Sequence, residues 1–438
     1  METLKIGLLG LGTVGTGIVK MIENNREDIS QKTGYNVEVT RIAVRNLNKK
    51  RDVQLPNAQF TDDPNEVIHD PEIDIIIEVM GGIEQTKQYI LAALNEGKHV
   101  VTANKDLVAV AGQEIFAAAE RAQRDFMFEA SVAGAIPIIR AIKESMSADQ
   151  VTEIMGILNG TTNYILSKMA QEGADFADVL AEAQALGYAE ADPTADVGGL
   201  DAARKIAILA SIAFNSRVTF DDVFVEGITN ISASDISYAK DLGYVIKLLG
   251  VAKRENGKIE VRVHPTFISD KHPLANVNGV YNAVFLKGEA FGDAMFYGKG
   301  AGELPTASAV MGDVVEILRN IRANAVGRLG CTCYNSKQIK EIDDVVSKAY
   351  IRLLVKDESG VLAGVTRILG EYQVSVESII QRGGRSSGGE NCAVGEAEIV
   401  LVTHAVSHRN LHKAVEEIEK LDKIIQLHNV VRVEEGGR

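Results

Sequence analysis

Leu4-Lys-Ile-Gly-Leu-Leu-Gly-Leu-Gly-Thr-Val-Gly15 decides the fold of the first part of the chain. Leu4 to Leu9 is a short apolar strand. Gly10, Gly12 and Gly15 follow at G-x-G-x-x-G spacing around Thr13 and Val14, and Gly17 to Ile22 continues with a helical pattern. A strand, a glycine turn and a helix in this order make the dinucleotide fingerprint. The glycines allow a tight turn and close approach of a pyrophosphate, which the helix N-terminus holds. A purely structural turn is the alternative, and the context of strand and helix argues against it.

Working outward, Val37 to Val44 is the second strand. NAD-binding folds usually place an acid at its end for the ribose hydroxyl. Arg45 stands there instead, with Lys49, Lys50 and Arg51 behind it. A basic residue suits the 2′-phosphate of NADP, so NADP is favoured and NAD stays open; a solvated basic loop is the other reading. Ile73 to Val79 is an apolar strand of the buried parallel type. It ends in Met80-Gly-Gly82, with Met80 and Gly81 at the carboxyl edge where ligands bind. A helix from Thr86 to Glu96 leads to a strand ending in Asn104-Lys105, and Lys105 is either a site lysine or a surface one. A helix over Gln113 to Gln123 and a strand over Phe126 to Glu129 complete a doubly wound unit.

A second domain begins near residue 131. Val151 to Leu158 is a strand, followed by Asn159-Gly-Thr-Thr-Asn163 and a helix from Tyr164. The threonines either cap that helix or expose N–H groups to a carboxylate substrate. Next come Glu190, Asp192, Asp196 and Asp201, ahead of Lys205 and the apolar run Ile206 to Phe214. On a helix, Asp201 and Lys205 lie one turn apart, on the stripe of Ile208 and Ile212 that should face inward. An ammonium there is costly unless paired, which suits it to proton transfer. An ordinary helix ion pair is the plainer reading, and a nearby hydride donor weighs against it. Strands at 257–265 and 282–287 look antiparallel, so this domain is α+β. Gly298 to Gly302 is a flexible loop before a helix over Pro305 to Asn320, which should pack back on the nucleotide domain. Residues 335–347 are polar and form a linker. Residues 348–434 then give strand, helix, strand, a Gly/Ser loop at 383–391, strand, helix and strand, the ferredoxin-like βαββαβ order.

The chain has 438 residues, enough for several cores. Its 60 acids against 46 bases, net charge −14, argue against nucleic acid and anionic membrane as main partners. No run of 18 apolar residues is present, and the first residues lack a signal-peptide pattern. With only Cys331, Cys333 and Cys392, a cytoplasmic location is expected. Cys331-Thr-Cys333 has no second cysteine pair or nearby histidine to make a metal cluster.

Taken together, Gly10 to Gly15, Thr102-Ala-Asn-Lys105, Glu129-Ala-Ser-Val-Ala-Gly134, Leu158 to Asn163, Glu190 to Lys205 and Gly300 to Ser308 cover nearly the whole chain. It resembles bacterial homoserine dehydrogenase with a C-terminal ACT domain, in the monofunctional form, since no kinase domain precedes these motifs. The resemblance implies a Rossmann-type domain over 1–130 with the return helix 305–330. It implies an α+β substrate and dimerisation domain over 131–304, and a ferredoxin-like ACT domain over 348–434. It implies reversible reduction of aspartate 4-semialdehyde to homoserine by NAD(P)H, on the route to threonine, methionine and isoleucine. Lys205 is then the proton donor with Asp201 beside it, and Lys105, near nicotinamide and substrate, is its rival. Glu190 binds the substrate amine, Gly160 and Thr161 line the pocket, and Gly302 and Glu303 close over cofactor and substrate. Asp196 joins the substrate set, although with Asp192 it could equally hold Lys105, hold a water or shape the loop. Glu129, Val132, Gly134 and Ile136 match a sodium-binding loop. The ACT unit, with Asp357 to Leu362 after its first strand, implies threonine as inhibitor and a homodimer or homotetramer; a purely structural dimerisation module is the alternative.

The chemistry of the residues agrees. Hydride addition to an aldehyde builds negative charge on oxygen, which an ammonium stabilises and protonates. Alcohol oxidation, needing a neutral lysine, should favour alkaline pH. A thiohemiacetal route needs a nucleophilic cysteine, and none lies in residues 1–330. An amino-acid dehydrogenase acting at the α-carbon and a non-catalytic NAD(P) sensor remain as rivals.

Overall fold

The computed structural model describes residues 1–383 and 395–434. Most of the Gly/Ser loop at 383–391, and Cys392, lie outside the described residues.

Along the first part run β1 (Thr3–Leu9), α1 (Thr13–Asn24), α2 (Arg26–Thr33), β2 (Asn36–Ala43), β3 (Gln59–Thr61), α3 (Pro64–Ile68), β4 (Ile75–Glu78), α4 (Glu84–Asn95), β5 (His99–Thr102), α5 (Lys105–Ala122) and β6 (Phe126–Met127). The middle holds α6 (Ile138–Arg140), β7 (Val151–Ile157), α7 (Gly160–Glu172), α8 (Phe176–Ala185), α9 (Thr194–Val197), α10 (Leu200–Ala213), β8 (Phe224–Val225), α11 (Ala233–Asp241), β9 (Tyr244–Glu255), β10 (Lys258–Ser269), β11 (Tyr281–Gly288), β12 (Gly292–Lys299) and α12 (Glu303–Ala323). The last part holds β13 (Gln338–Ile339), β14 (Val346–Lys356), α13 (Val361–Glu371), β15 (Val376–Gly383), β16 (Glu396–Thr403), β17 (Val406–Ser407), α14 (His408–Glu419) and β18 (Ile424–Glu434).

The chain divides into two compact units. The first comprises Met1–Leu158, Ala203–Val223 and Tyr281–Lys337; the second comprises Asn159–Ala202, Phe224–Val280 and the chain from Gln338 onward.

In the first unit a six-stranded sheet has the order β3-β2-β1-β4-β5-β6, with every pairing parallel. This is the doubly wound order, whose switch point lies between β1 and β4. The central strands β1, β4 and β5 are mostly apolar and buried because helices cover both faces. Ile6, Leu8, Ile75 and Ile77 are fully buried with Ile18 of α1 and Val310, Val314 and Ile317 of α12. The late helix α12 therefore belongs to the nucleotide-domain core, as its apolar periodicity suggests. Also in this unit, β11 pairs antiparallel with both β7 and β12.

In the second unit β9 and β10 form a long antiparallel hairpin, in register from Tyr244↔Ser269 to Glu255↔Lys258. β18 pairs with β14, β14 with β16 and β16 with β15, all antiparallel. With α13 and α14 packed over them, this is the ferredoxin-like module. It is tied into the rest of its unit, because Thr266–Ile268 of β10 pairs with Arg432–Glu434 of β18.

Several boundaries differ from the sequence expectation. The polar segment 335–347 is not bare linker: β13 within it pairs with the β10 edge. Gly298 lies in β12, opposite Asn282, instead of in a loop. α5 begins at Lys105, eight residues before the expected start, and α7 begins at Gly160.

The second unit buries charge. Arg262, 1 % exposed, donates to Glu260 at 2.6 Å and Glu434 at 2.7 Å. Lys253 donates to Glu434 at 2.6 Å. Burial alone would raise the Glu434 carboxyl, but Arg262 and Lys253 outweigh it and hold it at about 2. A carboxyl lowered from the ordinary 4.5 stabilises the fold fully above that pH, and the contribution fades as pH falls toward 2. Removing one partner of a buried pair costs about 3–5 kcal/mol. Glu434→Ala should therefore lower stability by that amount in urea denaturation at pH 7, and the gap to wild type should narrow from pH 4.5 to 2.5. A gap that stays constant over this range contradicts the assignment.

Candidate functional site

The nucleotide end is built by three glycines doing different work. Gly10 has φ +105°, a conformation that favours glycine, and a Cβ there would lie 3.0 Å from the Val79 carbonyl oxygen. A Cβ on Gly15 would lie 2.5 Å from the Gly10 carbonyl oxygen, so the third glycine lets α1 close on the strand end. Gly12, which precedes α1, has nothing within 4 Å of an added Cβ. The open side of Gly12, next to the N–H groups of Thr13 and Val14, is the cradle a pyrophosphate needs. A nicotinamide dinucleotide fits this donor set.

The next turn is held by Glu78, which sequence reading passed over. Its buried carboxylate ends β4 and accepts from the Met80 and Gly81 N–H groups at 2.8 and 3.0 Å and from the Thr102 hydroxyl at 2.6 Å. Burial raises its pKa against those hydrogen bonds. Met80 and Gly81 thus spend their N–H groups inside the protein. Asn104 continues the network: its amide donates to the Gly82 carbonyl at 2.7 Å and its Oδ1 caps α5 at Leu107. Lys105 is the first residue of α5, half-buried, positioned by that cap. Arg45 follows β2 and is exposed, whereas Arg51 folds back onto the Asn46 carbonyl at 2.7 Å. Arg45 is therefore the better placed of the two to meet a ligand.

Gly302, at φ +126°, precedes α12, and Glu303 opens it. The Glu303 carboxylate accepts from Lys20 of α1 at 2.7 Å, and a Cβ on Gly17 would strike the Glu303 carbonyl at 2.6 Å. Glu303 therefore clamps α12 onto α1.

Lys205 lies on α10, half-buried, while Ile208 and Ile212 of the same stripe are 4 % and 8 % exposed. The stripe faces inward, as its spacing predicts. Lys205 Nζ donates to the Leu158 carbonyl at 2.7 Å, and Asn282 Nδ2 donates to the same oxygen at 3.0 Å. The ammonium is thus held at the carboxyl end of β7.

In the second unit, Asn159 organises the start of α7. Its Oδ1 caps α7 at Thr162, 2.9 Å, while its Nδ2 donates to Asp196 at 2.7 Å and to Asp201 at 2.9 Å. The cap is this asparagine, not the threonines, which lie inside the first turn. Thr161 donates to the Tyr188 carbonyl at 2.6 Å and so tethers the segment leading to Glu190. A Cβ on Gly160 would lie 2.7 Å from the Val280 carbonyl oxygen. Buried Lys247 of β9 donates to Asn163 and to the Val277 carbonyl, and burial lowers it to about 8. Asp201 is buried and Glu190 is exposed. Asp192 accepts from Thr194 N–H and hydroxyl, which shapes its own loop.

The loop matched to sodium turns sharply. Ala133 and Gly134 have φ +57° and +53°, and a Cβ on Gly134 would lie 2.5 Å from the Gly300 carbonyl. The Glu129 carboxylate accepts from the Ile139 and Arg140 N–H groups, both at 2.8 Å. It holds the first N–H groups of the following helix, while the carbonyls of Glu129 and Ile136 accept from the Val132 and Ile138 N–H groups at 3.4 and 2.8 Å.

Comparison with known proteins places these features in one family. The model described as "Homoserine dehydrogenase, NAD binding domain" matches residues 10–129, "Homoserine dehydrogenase" matches 137–315 and "ACT domain" matches 349–423. The homoserine dehydrogenase of Bacillus subtilis is 46% identical over 437 residues, covering 100% of both chains. That of Neisseria gonorrhoeae is 42% identical, covering 99% of each. A crystal structure of a homoserine dehydrogenase from Thiobacillus denitrificans has a TM-score of 0.93 at 42% identity, over 100% of this chain and 99% of that one. A hyperthermophilic archaeal homoserine dehydrogenase in complex with NADPH has a TM-score of 0.60 at 26% identity, over 72% of this chain and 97% of that one. The chain belongs to the homoserine dehydrogenase family, NAD(P)-dependent oxidoreductases, and carries the family's nucleotide-binding domain together with an ACT domain.

Proposed function

We propose that this chain reversibly reduces aspartate 4-semialdehyde to homoserine, preferring NADPH, in the biosynthesis of threonine, methionine and isoleucine. The observation that carries the reading is the Lys205 ammonium held on the Leu158 carbonyl, one helical turn after Asp201. When bound, the reduced nicotinamide supplies a hydride. Lys205 stabilises the charge that develops on the aldehyde oxygen and gives it a proton. Glu190 and Asp196 meet the substrate ammonium, and Gly160 and Thr161 shape the pocket; Asp201 orients Lys205, while Lys105 and Glu303 complete the set. The nucleotide domain is taken to end at 130, the substrate domain at 304, and the ACT module to span 348–434.

Four narrower assignments accompany this reading. Threonine acts as inhibitor through the ACT module, and activity unchanged at millimolar threonine excludes it. Glu129, Val132, Gly134 and Ile136 hold a sodium ion through backbone carbonyls and one carboxylate, which replacement of sodium by choline in the assay tests. The chain works as a homodimer or homotetramer, and a solution mass equal to the 47.2 kDa monomer excludes both. Its compartment is the cytoplasm; among the described residues no helix is long and apolar enough to cross a membrane.

Two outcomes follow from the chemistry. Lys205→Ala should lower kcat for aspartate semialdehyde by about 10²–10⁴-fold, the usual worth of a placed acid, with NADPH affinity unchanged. Turnover at the wild-type rate contradicts the role. Arg45→Ala should raise the KM for NADPH several-fold and leave that for NADH in place, as loss of a 2′-phosphate contact requires. An equal change for both cofactors contradicts it.

A further inference from the structure

The cavity bordered by α5 and α10 carries a chemistry that the dehydrogenase reaction does not use. It encloses about 240 Å³, between Gly112 and Phe116 of α5, Ile208 and Ile212 of α10, and the segment Cys331–Cys333. α5 begins at Lys105 and α10 carries Lys205, so both walls belong to helices that bear site lysines. Both cysteines are reduced and exposed. The Cys333 N–H donates to the Cys331 sulfur at 3.4 Å, and the Cys333 thiol donates to the Ser211 carbonyl, in the last turn of α10, at 3.8 Å. Lys143 and Arg217 line the same cavity. Lys143 is fixed by the Leu329 carbonyl at 2.9 Å and lies over the Phe116 ring at 5.2 Å.

We propose that Cys331 and Cys333 are a peroxide-sensitive dithiol whose closure to a disulfide slows the enzyme through α10. A reactive cysteine sits in an electropositive, accessible setting, and here hydrogen bonding from Cys333 together with Lys143 and Arg217 brings the Cys331 thiol down to about 6. Two residues apart, the Cα atoms lie within about 7 Å, and a disulfide needs roughly 4.4–6.8 Å, so a small bend suffices. The Cys331 thiolate attacks a peroxide oxygen. The S–O bond forms, the O–O bond breaks, and the departing hydroxide leaves as water once protonated. The Cys333 sulfur then displaces the sulfenic hydroxyl, forming S–S and releasing a second water that carries the thiol proton. Two thiols are oxidised and one peroxide is reduced to two waters. Closure removes the thiol that donates to Ser211 and draws residue 333 away from the end of the Lys205 helix.

The test uses full-length reduced protein treated with hydrogen peroxide. Tryptic cleavage after Arg328 and Lys337 isolates both cysteines from Cys392. The peptide 329–337 should lose about 2 Da as two hydrogens leave, and in Cys333→Ser it should instead gain about 16 Da as a sulfenic acid. Over the same interval kcat should fall about fivefold or more, the lower end of typical coupling. Dithiothreitol should restore it, and Cys331→Ser should not respond. A peptide of unchanged mass, oxidation confined to Cys392, or a disulfide that leaves kcat unaltered each overturns the proposal. The mass readout is independent of the catalytic assignment, so failure of one is told apart from failure of the other.

Discussion

The carbonyl of Leu158 is the point on which the site depends. β7 ends there, and the oxygen accepts from Lys205 at 2.7 Å and from Asn282 at 3.0 Å. An ammonium drawn partly out of water must find acceptors. The Leu158 carbonyl satisfies one of its N–H groups. The next residue, Asn159, caps α7 and holds Asp196 and Asp201 with its amide.

Glu78 plays the corresponding part at the nucleotide end. A buried carboxylate is tolerated because three donors meet it. Through Thr102 and Asn104 it couples the end of β4 to the start of α5, and so to Lys105. Both lysines are placed by strand ends and helix starts: Lys205 on the Leu158 carbonyl after β7, and Lys105 at the start of α5 behind its Asn104 cap. Rigid strand ends give more exact placement than loops do, which is why a doubly wound sheet gathers its chemistry there.

Much of this was legible in the sequence. Strand, glycine turn and helix at residues 4–22 announce the nucleotide domain, because each glycine answers a steric demand that the structure displays. The inward stripe of Lys205, Ile208 and Ile212 follows from helical spacing alone. Glu78 was hidden inside the apolar run Ile73–Val79, where a single acid gives no periodic signal. Asn159 stood beside two threonines that cap equally well in principle, and only the fold shows which side chain faces the N–H groups. The start of α5 was obscured by Val108-Ala-Val-Ala111, which suits a strand or a helix. β10 was read at 257–265, but its partner β9 escaped notice because Lys253, Glu260 and Arg262 look like a solvated stretch. Glu260 and Arg262 are buried, and Arg262 and half-buried Lys253 both donate to Glu434, 172 and 181 residues away and invisible to local pattern.

Lys205, not Lys105, is the group assigned to the reacting oxygen, and a crystal structure with NADP⁺ and homoserine bound tests this most directly. The account predicts Lys205 Nζ within about 3.2 Å of the homoserine hydroxyl oxygen, the reach of a proton transfer. Lys105 Nζ at that distance, with Lys205 Nζ farther from the hydroxyl, contradicts it.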